Sequence, residues 1–221
     1  MVITIDGPAG SGKSTAARKL AARLEIAYLD TGAMYRAIAY LALQQGVDFR
    51  EHDALLRVAE SIELDLDCGP THTRVKVNGH DVSEAIRSLR VSEVTPFVAR
   101  HADIRRLLVD RQRSLGKRLG SFVSEGRDQG GVVFPGADAK FVLDATLERR
   151  AQRRYQEMTA DGEDVSVSDV LDNLKARDAV DAKQWEPLVH GGLAIVIDTS
   201  DLSIPDVIER MMDHVAHRIK S

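Results

Sequence analysis

Eight consecutive residues, Gly7-Pro8-Ala9-Gly10-Ser11-Gly12-Lys13-Ser14, carry the most specific chemistry in the chain. They match in full the spacing G-x-x-x-x-G-K-[ST] of a phosphate-binding loop. The glycines let the backbone take conformations that a side chain would forbid. Successive backbone N–H groups then form an anion-binding concavity. A helix beginning near Lys13 points its positive end at the same spot. Lys13 is placed to reach the β and γ phosphates of a nucleotide, and the Ser14 hydroxyl to help hold Mg²⁺. The candidate ATP-binding set is therefore Gly7, Pro8, Ala9, Gly10, Ser11, Gly12, Lys13, Ser14 and Thr15, with Ser14 the metal-side residue. A glycine-rich turn without chemistry is the bland alternative, and the position of the motif between a strand and a helix argues against it. The motif predicts nucleotide binding but does not name a reaction.

Three further segments follow in order: Asp30-Thr31-Gly32-Ala33-Met34-Tyr35-Arg36, then Gly126-Arg127-Asp128 with Val132-Val133-Phe134-Pro135, then Arg177-Asp178-x-x-Asp181. Arginine suits a site where two polyanions meet, because its planar fork holds phosphate oxygens bidentately and stays charged. In order and spacing this series resembles the bacterial cytidylate kinase family, over about residues 2–217. The resemblance implies an enzyme that transfers the γ-phosphoryl of ATP, with Mg²⁺, to CMP or dCMP. It implies that Thr31 and Arg36 hold the acceptor phosphate, that Arg127 bridges toward it, and that Asp128 contacts the acceptor sugar. Arg177 and Asp181 would close from the far side, and Arg105 joins the acceptor set. Glu148-Arg149-Arg150-Ala151-Gln152-Arg153-Arg154 resembles the start of that family's lid, with Arg153 the best candidate for a donor-phosphate contact and Arg150 and Arg154 behind it. The catalytic set is thus Lys13, Arg127, Asp128 and Arg153. A solvated basic helix face is the other reading of this run, and it is preferred for Arg149.

The chain departs from the family pattern at Pro96, where a serine is usual, and at Gln184, where an arginine is usual. It departs again at Gln129-Gly130-Gly131, where methionine and threonine are common at 129 and 131. These positions bear on base selectivity and acceptor affinity and leave the phosphate loop untouched. Asp6 and Asp144 end apolar runs, where a carboxylate either meets a metal-bound water or caps the helix that follows. For Asp144 the cap is preferred.

Something must hold these groups together. Apolar runs at Val2–Ile5, Ala27–Leu29, Ser121–Val123, Lys140–Leu143 and Leu193–Ile197 alternate with helical periods at Lys13–Leu24, Ala33–Gln44, 90–118, Leu147–Ala160, Val167–Val180 and Ile204–Ile219. That alternation predicts an α/β fold, a P-loop NTPase-type parallel sheet of about five strands flanked by helices. Pro96 is expected to break or kink the 90–118 segment. Ile62–Asp67 and Thr73–Val77 alternate apolar and polar residues, and Asn78-Gly79 marks a hairpin. Residues 62–88 therefore read as a small antiparallel insertion, which by resemblance enlarges a nucleoside-monophosphate-binding region of about 32–89. The core is expected at 1–31, 90–145 and 190–221, a helical lid at about 147–166, and an acceptor-closing helix at 167–184.

Composition bounds the rest. In 221 residues, 43% are hydrophobic and 29% charged, as in an ordinary globular chain. A net charge of −4 and 5% aromatic residues argue against a nucleic-acid polymer as partner. No run of about 18 apolar residues predicts a membrane span. One cysteine, Cys68, excludes an internal disulfide and suits a cytoplasmic setting. By resemblance the protein is expected to be a monomer that closes on small-molecule nucleotides. Two alternatives stay open: another small-molecule P-loop kinase (a UMP, shikimate or sugar-acid acceptor), and a nucleotide-binding switch without phosphotransfer.

Overall fold

The computed structural model describes residues 1–160, 162 and 165–219, with the side chains of residues 177, 180 and 217–219 left outside the described set. Along the chain, β1 (Val2–Asp6) leads to α1 (Lys13–Leu24), β2 (Ala27–Asp30), α2 (Thr31–Gln44) and α3 (His52–Ser61). Then come β3 (Leu64–Cys68), β4 (Thr73–Val77) and β5 (His80–Asp81), followed by α4 (Leu89–Arg100), α5 (Ala102–Leu119) and β6 (Phe122–Glu125). The chain closes with β7 (Ala139–Asp144), α6 (Leu147–Ala160), α7 (Val167–His190), β8 (Ile195–Asp198) and α8 (Ile204–Ile219).

Five strands form one parallel sheet in the order β2-β6-β1-β7-β8. Its inner strands are covered on both faces, which is why they read as unbroken apolar runs. Ile3, Ile5, Val123, Phe141 and Leu143 are buried against Ala16, Ala17, Leu20 and Ala21 of α1 and Val207 and Met211 of α8. Helix α1 turns Arg18 and Lys19 to solvent, the expected division of an amphipathic helix. The strand order reverses direction at β1, so the loop after β1 opens into the crevice where ligands of such sheets bind.

The second sheet is antiparallel, in the order β3-β4-β5. Asn78 and Gly79, at φ 50° and 82°, make the left-handed pair that a two-residue hairpin requires. One face of this sheet, through Val75 and Val77, packs into a separate core with Met34 and Ile38 of α2, Leu55 and Val58 of α3, Val98 of α4 and Ile104 and Leu108 of α5. A third, smaller cluster joins Ala151 of α6 to Val170 and Leu174 of α7.

Three expectations need correction. Pro96 does not end its helix: α4 runs through it to Arg100, and the break before α5 falls at His101. The Thr95 hydroxyl donates to the Val91 carbonyl (2.7 Å), which adds side-chain bonding to a turn that Pro96 deprives of an N–H. Helix α7 continues to His190, past both the Val180 end of the helical period and the expected acceptor-closing helix at 167–184, and carries Pro187 within its last turn. Asp144 does not cap α6; its Oδ1 accepts from Ala145 N–H at 2.8 Å, while the Thr146 hydroxyl accepts from Arg149 N–H at 3.3 Å.

Candidate active site

The phosphate loop leaves β1 at Gly7 and enters α1 at Lys13. Gly7, Gly10 and Gly12 have φ of 132°, 76° and 89°, conformations that side chains resist. The Lys13 ammonium donates to the Pro8 carbonyl (2.5 Å), and the Ser11 hydroxyl donates to the same oxygen (3.0 Å). The loop is braced from outside by Thr199, after β8, whose hydroxyl lies 3.0 Å from the carbonyls of both Ser11 and Asp144. Ser14 is exposed on the first turn of α1 and Thr15 is half-buried beside it.

Arg150 of α6 lies against this loop, and Arg153 of the same helix reaches it only through Thr199. Arg150, 5% exposed, donates to the Ala9 carbonyl (3.2 Å) and the Ala145 carbonyl (2.9 Å), and forks onto both oxygens of Asp178 in α7 (3.1 and 2.5 Å). Arg153, one turn on, holds the Thr199 hydroxyl (3.1 Å) and carbonyl (2.5 Å). Burial, and next the charge of Arg149, hold the Arg153 guanidinium below the usual arginine range. Arg149 bonds the Ser200 carbonyl and Arg154 pairs with Glu157 on the surface. Arg150 therefore ties the loop to two helices, while the Arg153 donors face Thr199. The run of arginines signalled this helix, but without knowing its rotation no spacing rule could separate Arg150 from Arg154.

The residues expected to hold the acceptor lie at or near the carboxyl ends of β2 and β6. Asp30 ends β2, caps α2 by accepting from Ala33 N–H (3.0 Å), and pairs with Arg36 (2.7 Å). The same oxygen is 3.6 Å from Arg87, which sits in a short 3₁₀ turn and carried no periodic signal in the sequence. Thr31 donates its hydroxyl proton to the Glu125 carbonyl (2.7 Å), leaving its oxygen as an acceptor in this arrangement. Beyond β6, Arg127 pairs with Asp181 of α7 (3.0 Å), and Arg105 of α5 pairs with Asp128 while also reaching Gln184 (3.2 Å). Arg36, Arg105 and Arg127 are thus each held by a carboxylate. These pairs are partly buried, and each carboxylate orients the guanidinium fork it holds. Tyr35 lies near them; burial and then the Asp128 charge push its hydroxyl up to about 12. Helix α7 carries Arg177, but its side chain lies outside the described residues.

Asp6 joins the two halves. It ends β1 immediately before the phosphate loop, and its carboxylate accepts the N–H of Gln129 and of Gly130, both at 2.8 Å. Asp6 therefore pins the turn that follows Arg127-Asp128 rather than capping the helix next in sequence. Complete burial raises its carboxyl from 3.8 to about 6 against the lowering effect of those two N–H groups, with Asp128 adding to the rise and Lys13 opposing it. Ionised Asp6 consequently opposes folding at neutral pH: its folded-state value lies above the unfolded one, so its contribution is fully present below pH 4 and is lost as pH rises through 6. A rise of that size is worth roughly 3 kcal/mol. Unfolding free energies of the wild type and Asp6→Asn, followed by urea from pH 4 to 7, should diverge by about that amount, with the wild type losing relative stability as pH rises. Parallel curves would contradict this account of Asp6.

A family model described as cytidylate kinase matches residues 3–217. The chain belongs to the cytidylate kinase family. It is 41% identical over 221 residues to a cytidylate kinase of Caldanaerobacter subterraneus subsp. tengcongensis, covering 99% of this chain and 96% of that one. It is 39% identical over 217 residues to the cytidylate kinase of Bacillus subtilis, covering 98% and 96%. Among solved structures, an uncharacterised protein from Eubacterium ventriosum shares the fold, with a TM-score of 0.52, 13% identity and 98% coverage of each chain. As a member of this family the protein is an ATP-dependent nucleoside monophosphate kinase, a phosphotransferase. No described helix is long and apolar enough to cross a membrane.

Proposed function

We propose that the protein transfers the γ-phosphoryl of ATP to CMP or dCMP, with the phosphate loop as the donor site and the Arg36, Arg105 and Arg127 group as the acceptor site. What supports this reading is that Arg36–Asp30, Arg127–Asp181 and Arg105–Asp128 each include a residue at or just beyond the carboxyl end of β2 or β6, the same edge of the parallel sheet at which the phosphate loop leaves β1. Phosphoryl transfer needs positioning and charge neutralisation more than covalent help from the protein. Lys13, Arg36, Arg127 and Arg177 would spread the charge of the transferring group, and the acceptor phosphate attacks as an oxyanion without a general base. Arg87 joins the acceptor set on its proximity to Asp30. Asp128 and Arg105 would contact the nucleoside, and Asp181 would position Arg127.

Regions follow from these roles. Residues 32–89 would carry the acceptor, α6 and the segment to 166 would form a lid, and α7 would close on the acceptor from the other side. Arg150 would anchor this lid to the phosphate loop and α7, since it holds the Ala9 carbonyl and Asp178 at once. Among the described residues no group of three or more His, Cys, Asp or Glu is placed to hold a metal ion. A hydroxyl such as that of Ser14 fits Mg²⁺, which favours oxygen ligands, keeps several waters and binds through substrate phosphates instead of an all-protein cage. Bound there with ATP, Mg²⁺ supplies neutralisation of the β and γ phosphates.

Arg36→Ala and Asp181→Ala test the acceptor assignment. A lost charge-assisted hydrogen bond is worth about 1.5–3 kcal/mol, so the KM for CMP should rise about 10- to 100-fold in each. The KM for ATP should move far less. Normal kinetics with CMP in both variants would overturn the assignment.

A further inference from the structure

Gln129 directly follows Asp128 and is 1% exposed. A buried amide costs stability unless its polar atoms find partners. Here they do. Its Oε1 accepts the Ser124 hydroxyl (2.8 Å), and its Nε2 donates to Gln112 Oε1 (3.2 Å) and to Asp128 Oδ1 (3.3 Å). Its backbone N–H goes to Asp6 (2.8 Å), and its carbonyl accepts from Phe134 N–H (2.7 Å). Ser124, Gln112 and Asp6 are themselves fully buried, so the side-chain amide is held from strand β6 and helix α5 while β1 holds the backbone of the same residue.

The consequence falls on Asp128. Arg105 takes its Oδ2 and Gln129 takes its Oδ1. A donor on each oxygen constrains the carboxylate plane, and Arg105 is steadied in its turn by Gln184. The two glutamines, 129 and 184, thus flank one ion pair from opposite ends.

We propose that Gln129 is a positioning residue for the acceptor nucleoside, acting through Asp128: by holding Oδ1 it gives the Asp128–Arg105 pair one orientation toward the acceptor. The inference rests on the acceptor site proposed above. A side chain that only filled the core would not need this set of directed bonds, because a methionine of similar length fills the same volume without polar atoms.

The test compares Michaelis constants in the full-length protein. Gln129→Met should raise the KM for CMP on the order of tenfold and leave the KM for ATP within about twofold. In an Asp128→Ala background the same change should add less than about twofold, because the effect passes through Asp128. A purely structural role predicts a lower Tm, an unchanged ratio of the two constants, and additive effects in the double variant. Ser124→Ala, a smaller change that frees the Gln129 amide, should raise the KM for CMP by about two- to fivefold and decides the matter if Gln129→Met does not fold. An unchanged ratio in the folded variants overturns the proposal. Wild-type protein inert toward every nucleoside monophosphate would instead sink the acceptor reading and this inference with it, which separates the two failures.

Discussion

Lys13→Ala should lower kcat by about 10²- to 10³-fold, the usual loss when one donor aimed at transition-state charge is removed. Lys13 is only 5% exposed, and its ammonium already lies inside the loop, on the Pro8 carbonyl, so little rearrangement separates it from a bound phosphate chain. The fold should survive the change. Alanine is the best helix former, and position 13 opens α1 without entering the apolar core of the sheet. The effect should therefore be catalytic: a large fall in kcat/KM for ATP with a Tm close to that of the wild type. A second signature is electrostatic. Lys13 is one of the charges that lower the Asp6 carboxyl, so its removal should push Asp6 above about 6 and move the pH-dependent part of stability upward. Turnover within threefold of the wild type would show that Lys13 does not act on the transferred phosphoryl.

Gly7→Ala should damage the loop itself. Gly7 has φ of 132°, and a Cβ there would run into the backbone carbonyl of Leu143 in the neighbouring strand β7. Neither partner is a side chain that can swing aside, because Leu143 is hydrogen-bonded within the parallel sheet. Backbone strain and overpacking together predict a loss of roughly 2–6 kcal/mol. The shape that gathers the loop N–H groups should be lost with it, and ATP binding should weaken sharply. Gly136→Ala is the control: its φ is not in the left-handed range and nothing lies within 4 Å of the added methyl. Urea denaturation and ATP titration of both variants should separate them clearly. A Gly7→Ala protein with the stability and ATP affinity of the wild type would contradict the close approach of Gly7 to β7.

The phosphate loop, the parallel sheet and the Asn78-Gly79 hairpin are legible in the sequence because each is encoded locally. A glycine spacing, an unbroken apolar run and a left-handed turn pair all depend on neighbours along the chain. The roles of Arg150, Arg87 and Thr199 are not legible in this way. Arg150 and Arg154 belong to the same run, and only the packing of Ala151 against Val170 and Leu174 turns Arg150 inward. Arg87 meets Asp30 across 57 residues, and Thr199 reaches Ser11 across 188, distances over which no pattern in the chain speaks. Asp6 reads as a strand-end carboxylate, yet its partners are the amides of Gln129 and Gly130, which only the pairing of β1 with β6 brings near. Pro96 departs from its local expectation for a related reason. Proline removes one hydrogen bond from a helix, but α4 is buried through Val91 and Val98, one on each side of it, and tertiary packing outweighs the local penalty.

The central claim is that two phosphate-bearing ligands meet between the Lys13 loop and the Arg36, Arg105 and Arg127 group. Steady-state ADP formation from ATP with Mg²⁺, with CMP, dCMP, UMP, AMP and shikimate offered one at a time, tests it most directly. The account predicts strong stimulation by CMP or dCMP. Stimulation by shikimate alone, or ATP binding with no acceptor-dependent ADP from any of the five, would contradict it.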